Sequence, residues 1–234
     1  MDPDAAPVPL AARDEGRHRA GEGPWWAERW WFGWWESEGD GGPAGGFAEL
    51  VLLPNQARAW YRAALVRPGH PLLAVVDHDV PMPRVGLELR GEGLWADHTV
   101  EASFEQWTVT NETYALAVDE PDELIGRGYG RPVPLAFDVE WYASAPAVSG
   151  AAVSGAAGYG QSGEVVGVVE LGGAVSHAVH GVATRRHDWG PLALPDLGDA
   201  PADGARVPDR WPAPFAVVVD DVLTAGGWRR WRRP

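Results

Sequence analysis

An all-β fold, an antiparallel barrel or sandwich, is what this sequence predicts, and three observations carry the prediction. Short apolar runs recur along most of the 234 residues with Gly, Pro, Asn or Asp between them. Several of those runs alternate apolar and polar residues with a period of two, the mark of a half-buried strand. No convincing 15-residue helical period interrupts them, so about ten strands at this spacing favour a sandwich or barrel.

The first 24 residues are rich in Pro, Ala and charge and lack periodicity, so they read as a flexible leader outside the core. At Trp25 the character changes: Trp25, Trp26, Trp30, Trp31, Phe32, Trp34 and Trp35 fall within eleven positions. A helix would gather positions 26, 30, 31, 34 and 35 on one face, whereas a strand would gather Trp30, Phe32 and Trp34. Gly33 and the Gly-rich stretch 39–46, which resembles a hairpin connection, favour the strand. Further strands are expected at 47–53, 59–66, 72–76, 85–89, 102–110, 113–118, 135–142, 165–171 and 175–185. The cleanest is 135–142, with Leu135, Phe137, Val139 and Trp141 on one face and Asp138, Glu140 and Tyr142 on the other. Between Phe104 and Trp107 the apolar phase slips, as a β-bulge would make it do. Residues 145–158 are uncharged and low in complexity and read as a flexible loop. Residues 191–214 are rich in Pro, Asp and Ala, and 215–223 could add a last strand. The expected organisation is a leader at 1–24, a barrel at 25–190 and an extension at 191–234.

Composition narrows the function. The absence of Cys excludes a disulfide framework, thiolate metal sites and a cysteine nucleophile. A net charge of -14 repels phosphates, so no nucleic-acid partner is expected. Arg229, Arg230, Arg232 and Arg233 interleave with Trp228 and Trp231 in the tail, which reads as frayed, with contact at an anionic membrane surface as the weaker alternative. The start of the chain lacks a basic then apolar signal, and no run approaches 18 apolar residues, so a cytoplasmic location is expected.

Two places could carry acid-base chemistry. In Arg185-Arg-His-Asp-Trp-Gly190, alternation puts His177, Arg185 and His187 on one strand face and Ser176, His180 and Asp188 on the other. Imidazole titrates near neutral pH and an aromatic wall desolvates it, which suits His187 as an acid-base group. The blander alternative has His187 bonded to a backbone carbonyl and Trp189 capping the core. Asp138 and Glu140, beside Tyr142, form a carboxylate pair if their face looks inward and a solvated face if it looks out. Asp77-His-Asp79, Asp97-His98 and His177 with His180 match no metal-site spacing, so neither a metal nor a cofactor is expected. Gly158-Tyr-Gly-Gln-Ser-Gly163 lacks the Lys-Ser/Thr and the helix of a phosphate loop and reads as turns.

Three segments together resemble a known group of proteins: 25–35, Phe137-Asp-Val-Glu-Trp141, and 158–167 followed by 181–190, which ends in Arg185-x-His187-x-Trp189-Gly190. They are similar to the carotenoid hydratase (hydroxyneurosporene synthase) and AttH-like superfamily, which includes fungal kievitone hydratase and decalin-forming Diels-Alderases. The resemblance implies a calycin-like, lipocalin-type barrel for apolar substrates, two in tandem in family members. In the hydratase branch the motif's His and Trp, matched here by His187 and Trp189, act with a Tyr and an Asp on a later strand. No Tyr follows Gly190, so only the first barrel is expected.

The resulting expectation is a barrel whose Trp34, Trp107, Trp141 and Trp189, with Tyr142, line a cavity for an isoprenoid- or polyketide-like molecule. Any hydration, isomerisation or cyclisation would use His187 as acid-base, Arg185 or Trp189 to orient the substrate, and Asp138 and Glu140 as second-choice proton carriers. The alternatives are a non-catalytic carrier or sensor, and a half-length scaffold that pairs with another chain or dimerises. The 14 Trp could equally fill the interior.

Overall fold

A computed structural model describes residues 10–36, 44–66, 70–118, 130–149, 157–173 and 175–191. The strands are β1 (Trp26–Glu36), β2 (Ala44–Leu53), β3 (Arg58–Val66), β4 (Leu72–Pro81), β5 (Leu89–Gly91), β6 (Leu94–Ala102), β7 (Gln106–Val118), β8 (Arg131–Ala143), β9 (Val148–Ser149), β10 (Ala157–Leu171) and β11 (Val175–Pro191). Among the described residues there is no α-helix, only two short 3-10 turns. Every strand pairing is antiparallel.

Eight of these strands close a ring. The order β4-β3-β2-β1-β11-β10-β8-β7 returns on itself where Leu72–Ala74 of β4 pair with residues 116–118 of β7. The other half of β7 pairs with β6, which carries β5 at its edge. Closure removes the exposed sheet edge that an open eight-stranded sheet would present.

The interior follows from alternation. Trp30, Phe32 and Trp34 of β1 meet Leu135, Phe137, Val139 and Trp141 of β8 and Trp107 and Val109 of β7 in one buried cluster. Trp30, Trp107 and Trp141 are at most 1% exposed. Strand β1 buries its other face too, with Ala27 joining Val51, Leu53 and Trp60 in a second cluster and Trp31 also buried. Burial on both faces is why its aromatic run fits a helical and a strand period alike.

Several expectations needed revision. The apolar slip at Phe104 falls in the β6–β7 hairpin turn, where Phe104 takes a positive φ of 60° and the pairing shifts register between Val100 and Ala102; Ala102 ends β6, and 106–110 with 113–118 belongs to the one strand β7. Residues 85–89 precede β5 and hold no strand of their own beyond Leu89, whereas β6 is present at 94–102. The glycines of 158–163 lie in β10, whose fifteen residues pair with β11 from Ala157↔Trp189 to Leu171↔Val175.

The largest revision concerns the leader. Residues 12–15 form a 3-10 turn that inserts Glu15 into one end of the barrel, where it is 2% exposed and paired with Arg185. Composition reads a charged Pro/Ala segment as solvated because its partner lies 170 residues away. Residues 37–43, 67–69, 119–129 and 174 lie outside the described residues. So do 1–9, 150–156 and 192–234, with the expected last strand and the Trp/Arg tail.

Breaking one side of a buried ion pair strands the other charge. Glu15→Ala is expected to lower the unfolding free energy by about 3–5 kcal/mol in urea titrations. Asp138→Ala, on an exposed side chain, is expected to stay within about 0.5 kcal/mol of the parent.

Candidate functional site

Residues 10–24 form a strap at one end of the barrel, and Arg185 projects from β11 into that end with its five N–H donors all engaged. Nε and Nη2 donate to Gln161 Oε1 at 3.0 and 2.6 Å, Nη2 and Nη1 donate to the two Glu15 oxygens at 2.6 and 3.1 Å, and Nη1 also donates to the Tyr159 hydroxyl at 3.1 Å. Its guanidinium lies 4.8 Å from the Trp141 ring centre and 5.1 Å from that of Tyr159. Burial raises the Tyr159 hydroxyl pKa, against a smaller pull from the Arg185 charge. Glu15 also accepts from Trp107 Nε1 at 2.7 Å and from the Phe104 backbone N–H at 3.1 Å. Gly163 leaves room for this arrangement: a Cβ there would stand 2.4 Å from the Trp141 ring. With every donor engaged within the protein, Arg185 is a strut of the barrel.

Beside it, His187 is fully buried. Its Nδ1 donates to the Asp14 carbonyl at 2.9 Å, and its Nε2 faces Glu28 Oε1 at 2.9 Å. His18 Nδ1 meets the same Oε1 at 2.7 Å, and the His18 backbone N–H donates to both Glu28 oxygens. Trp30 stacks on His187 at 4.4 Å between ring centres and Trp189 stacks on His18 at 3.8 Å. Burial of Glu28 raises its pKa, but the hydrogen bonds from His18 and His187 outweigh that and hold it below the ordinary value.

A third polar group lies deeper. Tyr61 of β3, His98 of β6 and Asn111 of β7 point inward, at most 3% exposed, among Phe32, Val109 and Ala96. Asn111 lies four residues beyond Trp107 along β7, about 14 Å. The Tyr61 hydroxyl, both His98 ring nitrogens and both Asn111 amide atoms have no hydrogen-bond partner. Tyr61 and His98 ring centres are 6.2 Å apart, and Phe32 meets His98 edge-on at 5.5 Å. Burial raises the Tyr61 pKa, with Asn111 near enough to pull it slightly back though not in hydrogen-bond geometry. Burial alone drives His98 down to about 3, so its ring is neutral at physiological pH.

The sequence-derived candidates thus divide. Trp34, Trp107 and Trp141 line the interior, while Trp189 sits half-buried against the strap. His187 is bonded to a backbone carbonyl, as the blander alternative held. Asp138, Glu140 and Tyr142 alternate with Phe137 and Trp141 and so face water, where Tyr142 hydrogen-bonds Glu140. They cannot act inside the barrel. Sequence reasoning missed Glu15, His18, Glu28, Tyr61 and Asn111. Two carried a signal, since Glu28 shares the inward register of Trp30, Phe32 and Trp34, and Asn111 interrupts Trp107, Val109 and Ala115. A shallow groove of about 740 Å³ also opens at the strap end, lined by Phe104, Ala143, Val148 and Gln161 among others.

A closed ring of eight antiparallel strands with one end plugged by the preceding segment defines a lipocalin-like barrel protein. The chain belongs to the family described as "Domain of unknown function (DUF7064)", whose match spans residues 11–197 and therefore includes the strap. It is also similar to the solved structure of a "putative AttH" from Nitrosomonas europaea, at 14% identity and a TM-score of 0.47. That similarity covers 81% of this chain and 58% of the other. No curated protein matches the sequence.

The depressed pKa of His98 has a signed consequence. The unfolded chain takes up a proton near the ordinary value of 6.5, whereas the folded chain refuses it until about pH 3. His98 therefore contributes its full share of stability above pH 6.5 and loses it as pH falls toward 3, by about 1.4 kcal/mol per pH unit. Subtracting the pH profile of His98→Leu from that of the parent in urea titrations is expected to isolate this slope; a flat difference would contradict it.

Proposed function

We propose that this protein binds an apolar small molecule, isoprenoid- or polyketide-like, that bears a hydroxyl or carbonyl oxygen, inside the barrel. The observation that carries the reading is the set of unpartnered atoms on Tyr61, His98 and Asn111 in an otherwise apolar, Trp-rich interior. Each buried polar group without a partner costs about 1–3 kcal/mol. Native interiors satisfy nearly all such groups, so three on facing strands call for a guest that bonds to them. An oxygen on the ligand supplies the acceptor for Tyr61 and Asn111, and its hydroxyl, when present, the donor for the neutral His98. Eight-stranded barrels are of the size that is either filled by side chains or holds one small ligand. The full engagement of Arg185 and the backbone bond of His187 support a binder rather than a catalyst.

The test is a titration of the full chain with all-trans-retinol, retinal and a long-chain alcohol, against hydrocarbons of equal length, read by Trp emission. Saturable quenching by the oxygenated set, at least about tenfold tighter than by the hydrocarbons, is expected. Tyr61→Phe is expected to weaken binding of the oxygenated ligands while leaving stability unchanged or raised, because the hydroxyl it removes has no protein partner. Mass analysis of the mixtures is expected to show the ligands unaltered; an altered mass would make the protein an enzyme. No saturable response to any oxygenated ligand would defeat the reading.

A further inference from the structure

We infer that His18, Glu28 and His187 form a site for a divalent transition-metal ion, zinc first, that clasps the strap onto the barrel. His18 Nδ1, Glu28 Oε1 and His187 Nε2 come from the strap, β1 and β11, and one ligand atom from each residue lies within 4.8 Å of the others. Two imidazoles and a carboxylate are a donor set that zinc takes when it keeps a fourth position open.

The hydrogen bonding around the three points the same way. The Asp14 carbonyl can only accept, so His187 Nδ1 carries a proton and donates it there. That bond is the outer-shell contact a metal-bound imidazole ordinarily makes, and it leaves Nε2 as the ligand atom. Nε2 then faces the Glu28 carboxylate oxygen at 2.9 Å, and His18 Nδ1 faces the same oxygen at 2.7 Å. The two ring nitrogens and the carboxylate oxygen converge on one spot, where ring protons bridge them as hydrogen bonds and supply the positive charge that Glu28 faces. A metal ion fills that role for all three at once.

Ligand atoms around a tetrahedral zinc lie about 3.3 Å apart, given bonds of about 2.0–2.1 Å, so the two N···O contacts widen by about half an ångström and the two imidazole nitrogens, within 4.8 Å of each other, draw together by up to about 1.5 Å. Both imidazole planes are already fixed, by Trp30 on His187 and Trp189 on His18. His18 keeps 21% of its side chain exposed, which gives an ion a way in from solvent. The spacing 18, 28 and 187 matches no local motif, which is why the sequence argued against a metal.

The experiment uses the full chain, stripped with a chelator and dialysed. Calorimetric titration with zinc is expected to give one saturable site per chain with release of protons, and cobalt(II) is expected to give the visible bands of a low-symmetry site. His18→Ala, on the strap and partly exposed, is expected to weaken zinc binding at least about 100-fold, and Glu28→Gln likewise. Saturating zinc is expected to raise the melting temperature and to slow amide exchange over residues 10–24 in the parent but not in His18→Ala. Circular dichroism checks that each variant is folded. No saturable uptake, or uptake that both folded variants retain, would overturn the inference. Neither outcome bears on ligand binding in the interior, which is read by different probes.

Discussion

The ion pair between Glu15 and Arg185 is the constraint around which the barrel is arranged. A guanidinium placed inside a ring of strands needs five acceptors, and no strand neighbour supplies a carboxylate. Gln161 and Tyr159 on β10 provide part of the set, and the strap delivers the rest as one carboxylate that accepts from Arg185, Trp107 and the Phe104 backbone. The β6–β7 turn, the strap and two central strands are thereby tied at one point. The positive φ of Phe104 belongs to the same device: it turns the chain so that its N–H faces Glu15 while its carbonyl accepts from Gln161.

Much of this was legible and some was not, for physical reasons. Alternation with period two shows wherever a strand buries one face, and it divides β8 correctly into Phe137 and Trp141 on one side and Asp138 and Tyr142 on the other, but it does not say which side looks inward, and Tyr142, expected in the cavity, faces water. It fails for β6, whose inward set of Leu94, Ala96 and His98 mixes apolar with polar. It fails again for the start of β10, where Gly158 and Gly163 look like turns but make room for neighbouring backbone and for Trp141. The strap was illegible because its charge is compensated by a residue far along the chain, and local composition holds no record of that.

The site was legible only as isolated residues. The motif at 185–190 drew notice to Arg185, His187 and Trp189, and all three do occupy the strap end. Their partners Glu15, His18 and Glu28 lie in or beside a segment that composition assigns to solvent. A cluster assembled from a strap and two strands has no spacing rule, since its ligand atoms converge through the ring closure and not through a local period.

Two of the buried polar groups differ in how far their atoms are matched. At the strap end, every donor of Arg185 is matched, and the cation lies among aromatic rings that favour it. One or two layers deeper, Tyr61, His98 and Asn111 have five polar atoms unmatched. The chain thus matches every donor of its buried guanidinium, although the neighbouring Trp141 Nε1 has no partner, and leaves the deeper cluster unmatched as a group. Filling that layer with Phe and Leu would remove the cost without disturbing the alternation that builds the strands. A barrel that keeps such a polar cluster inside, while tying one end shut through Glu15 and Arg185, has the arrangement that the proposed oxygen-bearing ligand would use.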